Sequence, residues 1–110
     1  MQSAQRISFH ESSLVGSFRV DKMITLKLEG VHVEGNTRNV SIRLEDVNTV
    51  LRDGVEIEDF VGICGDGEIL TLEYAQKYLY MIVECTDFKN HNSQTHSYRI
   101  ACDSLKVEMH

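Results

Sequence analysis

Glu68-Ile69-Leu70-Thr71-Leu72-Glu73-Tyr74, then Ala75-Gln76-Lys77, then Tyr78-Leu79-Tyr80-Met81-Ile82-Val83-Glu84-Cys85 is the densest apolar block in the chain. Its period of two puts Leu70, Leu72 and Tyr74 on one face, and Leu79, Met81, Val83 and Cys85 on one face of the return. That is the pattern of two strands in a central antiparallel hairpin. A helix over residues 73–82 is the competing reading, since Ala75, Tyr78, Leu79 and Ile82 also share a helical face. The nearby tyrosines and the preceding alternation favour strand.

Working outward, the same alternation recurs. Ile24, Leu26 and Leu28 face one way, and after Gly30 the apolar positions become Val31 and Val33, a change of phase that reads as a β-bulge. Gly35-Asn36-Thr37-Arg38 signals a hairpin that returns through Val40, Ile42 and Leu44. Before these, Ile7, Phe9 and the run Leu14 to Val20 read as two strands or one bent strand. Over Asp46 to Gly54 the spacing of Val47, Val50 and Leu51 turns helical, so a single helical turn or a loop is expected there. Val55, Ile57, Val61 and Ile63 resume alternation, and Gly65-Asp66-Gly67 reads as a tight turn. The polar stretch Asp87 to His96 is expected to be a loop. Tyr98, Ile100 and Cys102, then Leu105, Val107 and Met109 in the opposite phase, predict a last strand with a bulge or corner. The expectation is one all-β domain over residues 1–110, an antiparallel sandwich or partly open barrel of about eight strands, with Leu70, Leu72, Leu79, Met81, Val83, Ile24, Leu26, Val40 and Ile42 in its core.

Composition narrows function by exclusion. The 110 residues have 25% charged side chains and no proline, and no apolar run approaches the roughly 18 residues of a membrane span. The start, Met1 to Arg6, has no apolar core of a secretion signal behind it. Cys64, Cys85 and Cys102 are odd in number and widely spaced, which reads as buried thiols in a reducing compartment, and the cytoplasm is the expected address. Net charge is −6 and unevenly spread. Residues 45–73 hold nine acids against the single base Arg52, so that segment carries −8 and the remainder +2. Such a surface repels phosphate backbones and attracts basic proteins, so a nucleic-acid partner is not expected.

No constellation of residues reads as catalytic. His10, His32, His91, His96 and His110 lack zinc-ligand spacing, and a metal site would need His91 and His96 to meet a distant acid. The cysteines lie in apolar alternation rather than beside a base, the glycines of residues 62–67 lack the helix and Lys-Ser/Thr pair of a phosphate loop, and Glu56 and Glu58 share a face but read as a solvated edge. Tyr74, Tyr78, Tyr80 and Tyr98 suit either half-buried strand positions or a surface for ligand or protein. Ile7-Ser8-Phe9-His10-Glu11-Ser12-Ser13-Leu14 resembles the "FHDS…L" start of a loose group of small bacterial all-β proteins, mostly uncharacterised, some of them found beside toxins and treated as immunity-like. Glu11 stands where that group usually carries aspartate. Leu79-Tyr80-Met81-Ile82-Val83-Glu84 and Ser97-Tyr98-Arg99-Ile100 are similar to the end of the same pattern. The resemblance implies a bacterial cytoplasmic protein whose role is binding.

The expectation is therefore a non-catalytic protein-binding module without cofactor or metal, immunity-type or regulatory, that meets a basic partner through Glu45, Asp46, Glu56, Glu58, Asp59, Asp66 and Glu68. A small-ligand-binding β-barrel is the alternative, and the same acids as mere solubilising decoration is the plainer reading. Long alternating strands without proline leave edges that either charges or a symmetric homodimer would cover.

Overall fold

Gln76 and Lys77, both in the left-handed region at φ 53° and 64°, close the central hairpin as a two-residue turn whose twist matches that of its strands. The computed structural model describes residues 7–58, 67–87 and 89–110. Ten strands run through them: β1 (Ile7–Ser8), β2 (Ser13–Val20), β3 (Met23–Val33), β4 (Asn36–Glu45), β5 (Thr49–Arg52), β6 (Val55–Glu56), β7 (Gly67–Ala75), β8 (Tyr78–Asp87), β9 (Asn92–Ala101) and β10 (Ser104–Met109). The same turn chemistry recurs at Glu34-Gly35 between β3 and β4 and at Asp53-Gly54 between β5 and β6, each pair with two consecutive positive φ values.

All pairings are antiparallel, in the order β10-β4-β3-β2-β7-β8-β9-β5-β6, with β1 on the far end of β3. The order never returns on itself, so the sheet is open rather than a closed barrel. The fold is all-β, and no helix occurs among the described residues. Two halves emerge, β10-β4-β3-β2 and β7-β8-β9-β5-β6, joined in the ladder by two residue pairs between β2 and β7 among the described residues. Two such pairs contribute about 1 kcal/mol per hydrogen bond, whereas each fully buried Leu, Ile or Met is worth about 1.5–3 kcal/mol. Ile24, Leu26, Leu28, Val40, Ile42 and Leu44 from one half and Ile69, Leu79, Met81, Val83 and Ile100 from the other form one buried cluster. Apolar burial therefore dominates the union of the halves, and each half has one face inward and one face in water.

Several expectations needed correction. The phase of β7 changes between Ile69 and Thr71, where a bulge leaves Leu70 half-exposed and makes Ile69 the buried residue; no glycine marks that bulge. Residues 49–52 form a strand rather than a helical turn, because β9 offers Val50 and Leu51 a pairing partner. The polar stretch 87–96 is mostly strand: Cys85, Thr86 and Asp87 pair with Gln94, Ser93 and Asn92. Backbone pairing carries that ladder outward, and residues 92–95 are exposed on both faces, so no apolar alternation announces it. The chain end is a corner, with Ile100 and Cys102 in one half and β10 on β4 in the other. Cys85 is disulfide-bonded and Cys102 is a free, buried thiol, which corrects the expectation of thiols throughout and removes its support for a reducing compartment. Val61, Ile63, Cys64 and the turn expected at Gly65-Asp66 lie outside the described residues.

The residues that carried the resemblance build a clasp. Glu11 sits at φ 68°, turning the chain between β1 and β2. The Ser12 side chain is fully buried and its hydroxyl donates to the Phe9 carbonyl. The Glu11 amide donates to the Ile69 carbonyl and the Ile69 amide to Ser12, both at 2.8 Å. His10 Nδ1 lies 2.8 Å from the Leu70 carbonyl and donates to it. Together they hold the β7 bulge.

Candidate functional site

The face of β8 turned away from the core carries Tyr78, Tyr80, Ile82 and Glu84, since Leu79, Met81 and Val83 point in. Residues paired directly across antiparallel strands share a face, so the registers define what surrounds them. Glu73 pairs with Tyr80, Tyr80 with Arg99, Arg99 with Leu51, and Leu51 with Glu56. One row across five strands thus reads Glu73, Tyr80, Arg99, Leu51, Glu56. The next row is Ala75, Tyr78, Ala101, Thr49, whose small neighbours leave Tyr78 49% exposed; Tyr80 is 37% exposed. Farther along the same face, Glu68 stands opposite Glu84.

Arg99 lies 5.8 Å above the Tyr78 ring, a cation–π contact. Among the described residues it has no ion pair, and neither have Glu56, Glu68, Glu73 and Glu84. Beside Arg99 is a dimple of about 220 Å³ lined by Leu51, Gly54, Tyr80, Ser97, Tyr98 and Arg99. The turn glycine matters there: Gly54 has φ 83° and open space where a Cβ would stand. This face combines exposed aromatic surface with a cation and acids that form no ion pair among the described residues.

The structure separates the acids that the sequence grouped. Glu56 and Glu68 lie on this face. Glu45 does not stand free: Ser104 Oγ donates to it at 3.0 Å and Lys106 Nζ is 3.3 Å away, which holds its carboxyl below the usual range. Asp46 is an exposed residue at φ 54° just after β4. Glu58 lies beside Arg19, Asp21, Asn48, Thr49 and Glu56 along a groove of about 400 Å³; Arg19 donates to the Glu58 and Asp21 carbonyls. Asp59 and Asp66 lie outside the described residues. Glu73 and Arg99 were not singled out from the sequence as site residues, because their place beside Tyr80 follows from strand order rather than from spacing along the chain.

His96 does meet a distant acid: its Nδ1 is 2.7 Å from Asp53 Oδ2, while the Ser97 amide donates to Asp53 Oδ1 at 2.9 Å. These bonds lower the Asp53 pKa, the His96 bond foremost. His91 is an exposed residue at φ 55°, and no cluster of three metal-ligating side chains occurs among the described residues. Burial pushes the Cys102 thiol up, the opposite of what a nucleophile needs. Of the tyrosines, Tyr98 is buried and Tyr74 donates its hydroxyl to the Cys102 carbonyl at 3.1 Å. No helix among the described residues is long and apolar enough to cross a membrane.

No family model matches the chain, and no curated protein matches it. Among solved structures it is similar to the crystal structure of an uncharacterized protein from Neisseria gonorrhoeae, with a TM-score of 0.46 at 18% identity, covering 96% of this chain and 98% of that chain.

Proposed function

We propose that this chain is a non-catalytic binding module, immunity-type or regulatory, that docks a basic protein on the outer face of β7, β8, β9, β5 and β6. The observation that supports this reading is the row Glu73, Tyr80, Arg99, Leu51, Glu56, whose acids have no partner within the described chain. Tyrosine supplies large, stiff contact area at low entropic cost, and unmatched acids accelerate encounter with a positive surface. A second copy is a poorer occupant: a two-fold axis through Arg99 would set like charges against like. The support that the cysteines lent to a cytoplasmic address falls with the Cys85 disulfide.

The test is affinity capture from the native host, followed by measured binding of the recovered protein to wild type, to Glu56→Lys/Glu73→Lys and to Tyr80→Ala. Loss of affinity by about tenfold or more in each variant, steeper at low salt for the charge reversal, is expected. Equal binding by all three overturns the reading. The alternative, a small-ligand protein, draws on the groove between Arg19 and Glu58. Co-purification of a small molecule that raises the melting temperature by several degrees would give that alternative first place.

A further inference from the structure

The order of charges on the docking face specifies more than a basic partner. Along the row the signs run negative at Glu73, positive at Arg99 and negative at Glu56, with Tyr80 and Leu51 between them. Neighbouring strands lie about 4.8 Å apart, so Glu73 to Arg99 and Arg99 to Glu56 are each about 10 Å. A partner carrying bases alone would meet both acids but would be repelled by Arg99 at the centre. That guanidinium has no ion pair with a carboxylate among the described residues and stands at the dimple, where a bidentate contact with an incoming carboxylate is available to it.

We propose that the partner presents to this face an α-helix carrying base, acid and base at seven-residue intervals. This rests on the reading that the face docks a protein. Seven helical residues advance about 10.5 Å and return to nearly the same side of the helix, drifting only about 20°. The three charges of such a helix therefore meet Glu73, Arg99 and Glu56 in turn. An extended strand laid along the row fails geometrically: it covers about 10 Å in three residues, an odd number that turns the side chain to the opposite face. The two tyrosines provide the apolar bed for the helix, Tyr80 within the row and Tyr78 beside it.

The probes are stapled helical peptides of equal length and composition class: one with lysine, glutamate and lysine seven residues apart, one with glutamate, lysine and glutamate, and one with three lysines. Titrated against the whole chain by fluorescence anisotropy at low salt, the lysine–glutamate–lysine peptide is expected to bind about tenfold more tightly than either other. In Arg99→Glu the preference should move to the three-lysine peptide; Arg99→Gln, which removes charge without reversing it, should leave those two peptides nearly equal. Equal binding of all three peptides by the wild type, binding by none, or an unchanged preference in Arg99→Glu overturns the inference. So does sedimentation showing a dimer that Tyr80→Ala dissolves, since the face would then belong to a second copy. The two proposals fail separately. A captured partner that is lost on Glu56→Lys/Glu73→Lys, with peptides that show no order preference, ends the helix inference alone; a partner indifferent to those substitutions ends the docking face itself.

Discussion

The outer surface of β4 and β10 and that of β7, β8, β9, β5 and β6 use the same residue types to opposite ends. On β4 and β10 four charges find a neighbour across the ladder: Arg43 meets Glu108 at 2.8 Å and Lys106 meets Glu45 at 3.3 Å. On β7, β8, β9, β5 and β6, Glu73, Arg99, Glu56, Glu68 and Glu84 stand in adjacent strands without one ion pair among the described residues. The cause is spacing. On β4 and β10 opposite charges sit on adjoining strands, one diagonal step apart on the ladder, whereas Tyr80 and Leu51 keep Glu73 and Glu56 two strands from Arg99. A matched face is self-sufficient and suits the strand at the edge of an open sheet, where charge also discourages edge-to-edge pairing. An unmatched face leaves its electrostatics to be completed from outside.

Inward, the comparison should vanish. Ile42 and Met81 belong to different halves but to one buried cluster, and both are fully buried. Ile42→Ala and Met81→Ala are each expected to cost about 2–5 kcal/mol in urea unfolding, with one transition by every probe. Two separate transitions, or a loss confined to one half, would mean that the halves are independent units.

What the alternation carried was the fold, because one face of nearly every strand is buried and period two reports it. It failed where burial is not what decides the strand. Residues 92–95 are held by backbone pairing alone, and Thr49 to Arg52 become strand because β9 is there to receive them. Gly30 marked its bulge and Leu70 did not, since a bulge without a positive-φ glycine leaves no trace in composition. The candidate site was legible only in pieces: the acid-rich segment and the tyrosines were visible, but Glu56, Arg99 and Glu73 come together through a strand order that no local pattern encodes. Asp53 and His96 are likewise 43 residues apart.

The matched pairs themselves are worth little, and their size sharpens the contrast. Arg43 and Glu108 are partly open to water, with side-chain exposures of 38% and 47%, so a double-mutant cycle with alanine should give a coupling of about 0.2–1 kcal/mol. The corresponding cycle for Arg99 and Glu73 should give a coupling indistinguishable from zero. A coupling of similar size at both places would show that the second face neutralises itself in solution, and the contrast between the halves would dissolve.

The smallest effect concerns acid. Among the described residues, Asp53 and Glu45 are carboxyls held below their ordinary range: Asp53 by His96 and then the Ser97 amide, Glu45 by Ser104 and then Lys106. Asp53 fastens the β5–β6 turn to β9, its own amide donating to the Ser97 carbonyl at 2.8 Å. Glu45 fastens β4 to β10. A carboxyl depressed in the folded state stabilises it above the unfolded pKa of about 4 and ceases to do so as pH falls through the lower folded value. Both carboxylates remain largely in contact with water, so the contribution is screened and modest. Asp53→Asn tests it cleanly, because asparagine tolerates the left-handed backbone at φ 52° and its carbonyl can still accept from Ser97. Between about pH 7 and about pH 3 the wild type should lose more stability in urea than Asp53→Asn or Glu45→Gln, with the two substitutions additive because the sites share no partner. Equal losses in the wild type, the two single variants and the double variant would show that neither carboxylate fastens its half of the sheet in solution.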